Sequence, residues 1–358
     1  MKNVAVIGTV GVPAEYGGFE TLVENLVSRK HTEDIRYTVY CSAKHYGQRP
    51  ASYRGARLKY LPLNANGIQS IPYDILSMLK ASGCDVLLVL GCSGCIFLPV
   101  FRLFSKKRVV VNIDGLEHRR DKWNRLAKWF LRCSEAMAVR YADVVVADNQ
   151  GIADYVLETY GKEACLIEYG GDNAVAGTDD ASLGGSYGLT RGDYAFKVAR
   201  IEPENNIAMV LEAFAKLPDR KLVVVGNWEN SEYGREVRRR YGACPNIMML
   251  DPIYEPAKLN LLRSNCGVYV HGHSAGGTNP SLVEAMCLGL PVVAFDVVYN
   301  RSTTENESLY FSSAQELAEV LQSVGRERLA EIGTRMAEIA QRRYRWELIC
   351  RKYESLFR

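Results

Sequence analysis

Short runs of Val, Ile and Leu recur along the chain, and between them apolar residues return at three- and four-residue spacing. Apolar runs bounded by turn residues read as strands buried on both faces, and the stretches between them as the helices that cover those faces. In the first half this pattern predicts strands near 3–7, 35–40, 57–61, 85–90, 108–113, 143–147 and 164–168. Helices are predicted near 18–29, 70–80, 95–104, 122–141 and 149–159. Residues 169–190, rich in Gly, Ser and Asp, read as a linker. A second series follows, with strands near 194–199, 221–225, 246–250, 267–270, 291–295 and 309–311 and helices near 206–216, 231–241, 256–263, 280–288 and 314–323. The stretch 326–357 is helical and studded with Arg and aromatic residues. The economical architecture is α/β: two doubly wound, Rossmann-like domains at 1–170 and 191–340, a linker at 171–190, a helix at 341–358, and a ligand cleft between the domains.

At 358 residues, with 47% hydrophobic and 24% charged residues, the chain suits two soluble globular domains and excludes disordered and fibrous classes. The net charge is only +3, yet residues 101–132 hold ten Lys/Arg against three Asp/Glu. That local excess points to an anionic surface or substrate near the first half, with no sign of nucleic-acid binding elsewhere. The opening Met1–Gly8 reads as a buried strand rather than a signal peptide. The apolar run Val86–Phe101 is divided by Gly91, Gly94 and Pro99 into strand, turn and helix, so it is not a transmembrane segment. The ten cysteines are scattered singly except for Cys92-x-x-Cys95, which has no matching second pair. They read as reduced core residues, and no metal site is expected.

The densest chemistry lies in 271–286, HGHSAGGTNPSLVEAM. Asn279 suits an N-cap and Pro280 a first helical position. The N–H groups of Ser281 and Leu282 would then face outward beside Gly276, Gly277 and Thr278, an arrangement that suits a phosphate. Glu284 lies about one turn in and leans back toward the same place, where its carboxylate can accept from a sugar hydroxyl. Phosphate plus sugar hydroxyl means a nucleotide. The alternative is an ordinary loop–helix crossover with Glu284 in solvent.

Three further sites carry weaker signals. Gly17 and Gly18 precede the first helix, but the spacing from Gly8 fails the dinucleotide fingerprint, so NAD binding is not expected. They read either as a ligand-facing helix start or as a plain turn. Asp114, Glu117, His118, Arg119 and Arg120 crowd the end of a predicted strand, where α/β sheets place catalytic groups. The helix after them interleaves Trp123, Lys128 and Trp129 with further bases, so it either lies on an anionic membrane or keeps its aromatics in the core. In the second half, Arg200 ends a strand and can clamp a pyrophosphate. Tyr254, after another strand end, either holds a nucleobase or belongs to a simple turn.

Taken together, the Gly17–Gly18 loop, Asp-Gly-Leu-Glu at 114–117 with Arg-Asp-Lys-Trp at 120–123, Arg200-x3-Glu204, Gly226-Asn-Trp and the 276–286 segment resemble the retaining family 4 glycosyltransferases of GT-B fold. More narrowly, they are similar to bacterial rhamnosyltransferases of capsule and cell-wall polysaccharides. The resemblance implies that Glu284 binds a ribosyl or deoxyribosyl hydroxyl, and that Arg200, with Glu204 and Asn205 beside it, and the Gly276–Ser281 loop hold the donor diphosphate. Gly17 and Gly18 would close over it, and the last helix would cross back near Arg345-Trp346. It also implies that no metal or cofactor is needed. The donor implied is dTDP-β-L-rhamnose, and the leaving phosphate would take the acceptor proton in a front-face substitution, with Asp114 or Glu117 positioning the hydroxyl. The acceptor implied is a polyprenyl-diphosphate-linked saccharide at the inner face of the cytoplasmic membrane, with Arg119, Arg120, Trp123, Lys128 and Trp129 on that side. Three positions depart from the pattern: Gly276 stands where the wider family has a second glutamate, Asn205 where it has a lysine, and His118 where the subgroup has a tryptophan. A UDP- or GDP-hexose donor remains open, as do a sugar-nucleotide epimerase and an inactive scaffold.

Overall fold

The computed structural model describes every residue except Tyr16, Arg120, Asp121, Lys122 and Asp179, and for Asp180 only the backbone. The chain divides into two units, Met1–Tyr169 with Trp346–Arg358, and Gly170–Arg345.

In the first unit the strands are β1 (Lys2–Ile7), β2 (Ile35–Ser42), β3 (Ser52–Tyr53), β4 (Ala56–Leu61), β5 (Val86–Leu90), β6 (Arg108–Asn112), β7 (Val144–Ala147) and β8 (Cys165–Leu166). They form one sheet in the order β3-β4-β2-β1-β5-β6-β7-β8. All pairs are parallel except β3 with β4. Every residue of β5 is buried, as a strand covered on both faces requires. The order reverses between β1 and β5, and the carboxyl ends of such neighbours are where doubly wound sheets receive ligands.

The second unit holds β9 (Tyr194–Val198), β10 (Lys221–Val225), β11 (Ile247–Leu250), β12 (Val268–His271), β13 (Val292–Phe295) and β14 (Leu309–Phe311). Their order is β11-β10-β9-β12-β13-β14, parallel throughout, so the switch point falls between β9 and β12. Helices Ile207–Ala215 and Ala314–Ser323 cover one face with Val210, Leu211, Phe214, Leu317 and Leu321. Trp228 is fully buried there, and its indole N–H donates to the Leu250 carbonyl at 2.9 Å.

Several elements differ from the sequence reading, the two-residue β3 among them. Residues 171–190 belong to the second unit and contain a helix, Asp180–Tyr187, pinned by the buried Leu183. Their glycines serve close packing as well as turning: a Cβ on Gly171 would lie 2.5 Å from the Val283 carbonyl. A further helix, Val298–Thr303, has too polar a sequence to show a periodicity. Finally, the tail breaks at Tyr344–Arg345 into helices Arg326–Arg343 and Trp346–Leu356. The second of these buries Trp346, Ile349, Cys350 and Tyr353, one stripe of a helix, within the first unit. The Trp346 ring meets Tyr169 edge-on at 4.7 Å, and Phe357 meets Tyr37 at 6.2 Å.

Candidate active site

At the switch point of the second unit, β9 and β12 each deliver a loop. After β9 the chain turns through Arg200 into a short helical turn, Pro203–Asn205. The buried Asn205 amide donates to the Arg200 carbonyl at 2.7 Å and so shapes the turn, instead of facing a phosphate. The loop after β12 is stitched to this turn: Ser274 donates to the Glu204 carbonyl through both its N–H and its hydroxyl, each at 2.9 Å. The Asn206 amide donates to the Gly272 carbonyl, also at 2.9 Å. Only glycine fits at 272, because a Cβ would lie 2.6 Å from the Asn205 carbonyl and 2.7 Å from the Lys197 amine. Backbone hydrogen bonding therefore brings Arg200, Glu204 and the 272–281 loop together. The Arg200 side chain is partly exposed, with Glu202 3.7 Å away.

The helix that follows, Pro280–Cys287, is capped by Asn279, whose side chain accepts from Ser281 N–H at 3.0 Å and from Ser281 hydroxyl at 2.8 Å. Leu282 N–H donates to the Asn279 carbonyl at 3.1 Å. The outward-facing amides expected at Ser281 and Leu282 are thus both turned to Asn279, because the cap that starts the helix also satisfies its first donors. What remains for an anion is the loop itself, where Gly276 has φ 114° and a Cβ there would meet nothing within 4 Å. Gly277 continues that loop, and Thr278 is buried.

Glu284 projects from the first full turn and is held from two sides. Arg263 pairs with it at 2.5 Å and the Asn173 amide donates to it at 2.9 Å. Arg263 is almost wholly buried, so this pair is far less screened than a surface one. Beneath the loop lies Lys197, buried, with no hydrogen-bond partner for its amine. Burial draws that amine down to about 7. Beside it His271, also buried and without a partner, is held well below the usual imidazole range by burial and by the Lys197 charge. The His271 ring stacks on His273 at 4.5 Å. Tyr254 stands apart from this group, exposed beyond β11, with β10 between it and β9.

In the first unit the switch-point loop after β1 is anchored by two carboxylates. Glu20 accepts from Thr9 hydroxyl at 2.8 Å and from Val10 N–H at 2.7 Å, and Glu24 accepts from Ala14 N–H at 3.2 Å. Gly17, at φ 128°, caps helix Gly18–Ser28, and the Gly18 carbonyl accepts from Tyr169 hydroxyl at 3.1 Å. Beyond β6, Asp114 adopts the left-handed conformation at φ 62°, rare for a residue with a side chain. Its N–H donates to the Asn112 side chain at 2.9 Å, and the Asn112 amide is in turn held by Tyr353 of the last helix at 2.7 Å.

On the short helical turn Glu117–Arg119, Glu117 accepts from the Trp123 indole at 3.0 Å, and the Arg119 guanidinium lies 4.8 Å above the Tyr155 ring. His118 Nδ1 lies 3.0 Å from the buried Glu135. Trp129 is 63% exposed on helix Arg125–Tyr141, so it is not a core residue, and Lys128 precedes it at intermediate exposure. Arg120 lies outside the described residues. Among the described residues no helix is long and apolar enough to cross a membrane. Among the same residues no group of three or more His, Cys, Asp or Glu could hold a metal ion.

Residues 1–172 match the model of a domain of unknown function (DUF1972), and residues 188–343 that of glycosyl transferases group 1. The second unit carries a group 1 glycosyltransferase domain. No curated protein matched the chain. Among solved structures it is similar to sucrose-phosphate synthase from Thermosynechococcus elongatus, at 17% identity over 100% of this chain and 98% of that one, with a TM-score of 0.83. It is also similar to HepE of Anabaena in complex with UDP, at 15% identity over 99% of both chains and a TM-score of 0.77. A glycosyltransferase from Rickettsia africae gives 12% identity over 99% of this chain and 97% of that one, with a TM-score of 0.71. At such identities the likeness is one of fold: two Rossmann-like domains with parallel sheets, as in GT-B glycosyltransferases.

Within the glycosyltransferase domain the fold gathers Arg200, Glu204, Gly276, Gly277, Thr278, Asn279, Ser281, Leu282 and Glu284 at one switch point. Reading the sequence missed Asn173, Lys197, Arg263 and His271. Arg263 left one signal, a base directly after two leucines that are both buried. Asn173 left none, because it lies in the stretch read as a linker. In the first unit Asn112, Glu135 and Tyr353 were missed, each being polar within an element read as structural.

Proposed function

We propose that the chain is a retaining glycosyltransferase that moves a 6-deoxyhexose, L-rhamnose from dTDP-β-L-rhamnose, onto a polyprenyl-diphosphate-linked saccharide. One observation carries the nucleotide-sugar reading: a carboxylate, Glu284, fixed by a buried arginine and an asparagine directly behind a glycine loop at the β9/β12 switch point. Fixed in this way, its remaining lone pairs are preorganised to accept from a sugar hydroxyl. Arg200 and the amides of Gly276 and Gly277 are the counter-charge for a departing diphosphate, so the reading calls for no metal or cofactor. Gly276 offers a sugar no side-chain hydrogen bond, as suits a donor lacking its 6-hydroxyl.

On the acceptor side, Asp114 in its strained, anchored conformation, with Glu117 and His118 next to it, orients the attacking hydroxyl. The bond from the anomeric carbon to phosphate breaks, the bond to the acceptor oxygen forms on the same face, and the hydroxyl proton passes to the departing phosphate. Leu103, Phe104, Leu126 and Trp129, all well exposed on helices Leu98–Phe104 and Arg125–Tyr141, lie among Lys106, Arg125 and Arg132. Such a face suits the anionic inner surface of a cell membrane, where a lipid-linked acceptor resides. A UDP-hexose donor is the second reading, because HepE was crystallised with UDP-glucose.

Incubation with dTDP-rhamnose, UDP-glucose, UDP-galactose and GDP-mannose, each with a lipid-linked monosaccharide, distinguishes these readings. Transfer from dTDP-rhamnose alone is expected. Transfer only from a UDP- or GDP-sugar would overturn the donor assignment, and isomerisation of the donor without acceptor would make the chain an epimerase.

A further inference from the structure

We propose that Glu135 is the positioning residue of the acceptor side, holding His118 so that the ring's Nε2 is offered to the acceptor hydroxyl; this rests on the transferase reading above. His118 stands beyond the carboxyl end of β6, and its side chain is 13% exposed. Its Nδ1 meets one oxygen of Glu135 at 3.0 Å. The other oxygen accepts from Tyr155 hydroxyl at 2.9 Å and from Tyr160 hydroxyl at 2.7 Å. Three donors thus converge on a carboxylate buried on helix Arg125–Tyr141, two of them sent from helix Gln150–Tyr160.

Burying a carboxylate is unfavourable unless donors meet it, and here they do. Burial raises the Glu135 carboxyl, but the hydrogen bonds from His118, Tyr160 and Tyr155 and the His118 charge outweigh it and hold the group below the usual carboxylate range. An ionised Glu135 can only accept, so the proton it meets belongs to His118 Nδ1. In the neutral ring Nε2 then carries a lone pair, and it has no hydrogen bond among the described residues. The same logic, a buried carboxylate fixing the tautomer of a histidine, serves acyl-transfer enzymes. Here Nε2 accepts the hydrogen bond of the bound acceptor hydroxyl and aligns it; as the donor bond breaks, that same proton turns to the departing phosphate and leaves with it. Two helices and two tyrosines are thus committed to one ring on the loop that also carries Asp114.

Replacing Glu135 with Gln keeps the size but presents an amide donor to Nδ1, which reverses the tautomer and turns Nε2 into a donor. Glu135→Gln is expected to lower kcat roughly 100-fold with the donor KM unchanged. The ring-nitrogen chemical shifts of His118 followed by NMR should show the proton moving from Nδ1 to Nε2, which reads the tautomer without any transfer. The deciding comparison is Glu135→Gln in a His118→Gln background. No further loss there supports the assignment, since Glu135 acts through His118. An equal loss in both backgrounds would make Glu135 merely structural and overturn it, as would normal kcat and an unchanged ring tautomer in the single variant. Absence of transfer by the parent protein with any nucleotide sugar would sink the transferase reading and this proposal with it.

Discussion

Replacing Lys197 with Met should stabilise the protein at neutral pH and abolish a pH dependence of its stability. The amine is buried with no hydrogen-bond partner among the described residues, and its midpoint lies at about 7 instead of the usual 10.5. At about 1.4 kcal/mol per unit, that difference amounts to about 5 kcal/mol of unfavourable burial when both states are charged. Because the folded value is depressed, the unfolded chain binds the extra proton between about pH 7 and the ordinary lysine value of 10.5. Stability therefore rises with pH through that window, and is lost as pH falls through about 7. From pH 7 to pH 9 the gain is about 2 kcal/mol. Met fills similar space and carries no proton, so its advantage should be largest at pH 7 and below and should narrow by that amount at pH 9. Urea unfolding of the full chain, read from the transition of the buried Trp228, measures this. Comparison with the variant cancels groups such as Asp74, whose carboxyl is pushed up to about 8 by burial and whose contribution runs the opposite way. Parallel pH dependences in the two proteins, or a Met variant weaker at pH 7, would refute the reasoning.

Glu284→Ala strands the buried Arg263 without its partner and should lose roughly 3–5 kcal/mol. Glu284→Gln is the cleaner test: thermal shift should find it folded but no longer stabilised by nucleoside diphosphate, and full retention of that stabilisation would count against the ligand role. Tyr353→Phe removes the hydroxyl that holds Asn112 and, through it, Asp114. It should cost about 1 kcal/mol of stability, yet reduce kcat at temperatures where the variant is fully folded; unchanged kcat would show that the Asp114 conformation does not depend on the last helix. Leu126→Ala with Trp129→Ala should weaken flotation with phosphatidylglycerol vesicles, and Arg125→Gln with Arg132→Gln should remove on the order of 1 kcal/mol each. Equal binding of the parent to phosphatidylcholine vesicles would contradict the electrostatic part.

Strands such as Val86–Leu90 and Lys221–Val225 were legible because a strand covered on both faces admits almost nothing but apolar residues. The Pro280–Cys287 helix was legible from its cap and its proline. The use of its amides was not, since the cap that reveals the helix start also consumes the first donors, and only geometry shows that competition. Residues 171–190 looked like a tether because small and polar residues also permit tight packing, as Gly171 does against the Val283 carbonyl. Glu135 and Arg263 escaped notice for a different reason. Each sits on a helix, where a charge usually faces water, and what gives it meaning is a partner on another segment.

The return of helix Trp346–Leu356 to the unit begun by Met1 has a consequence for biosynthesis. Gly170–Arg345 is continuous and can fold as soon as it leaves the ribosome, whereas the unit translated first is the last to be finished. Until residues 346–353 emerge, Asn112 lacks Tyr353 and the Tyr169 ring lacks Trp346. A nonsense codon just upstream of Trp346 would therefore spare Gly170–Arg345 and cripple Met1–Tyr169.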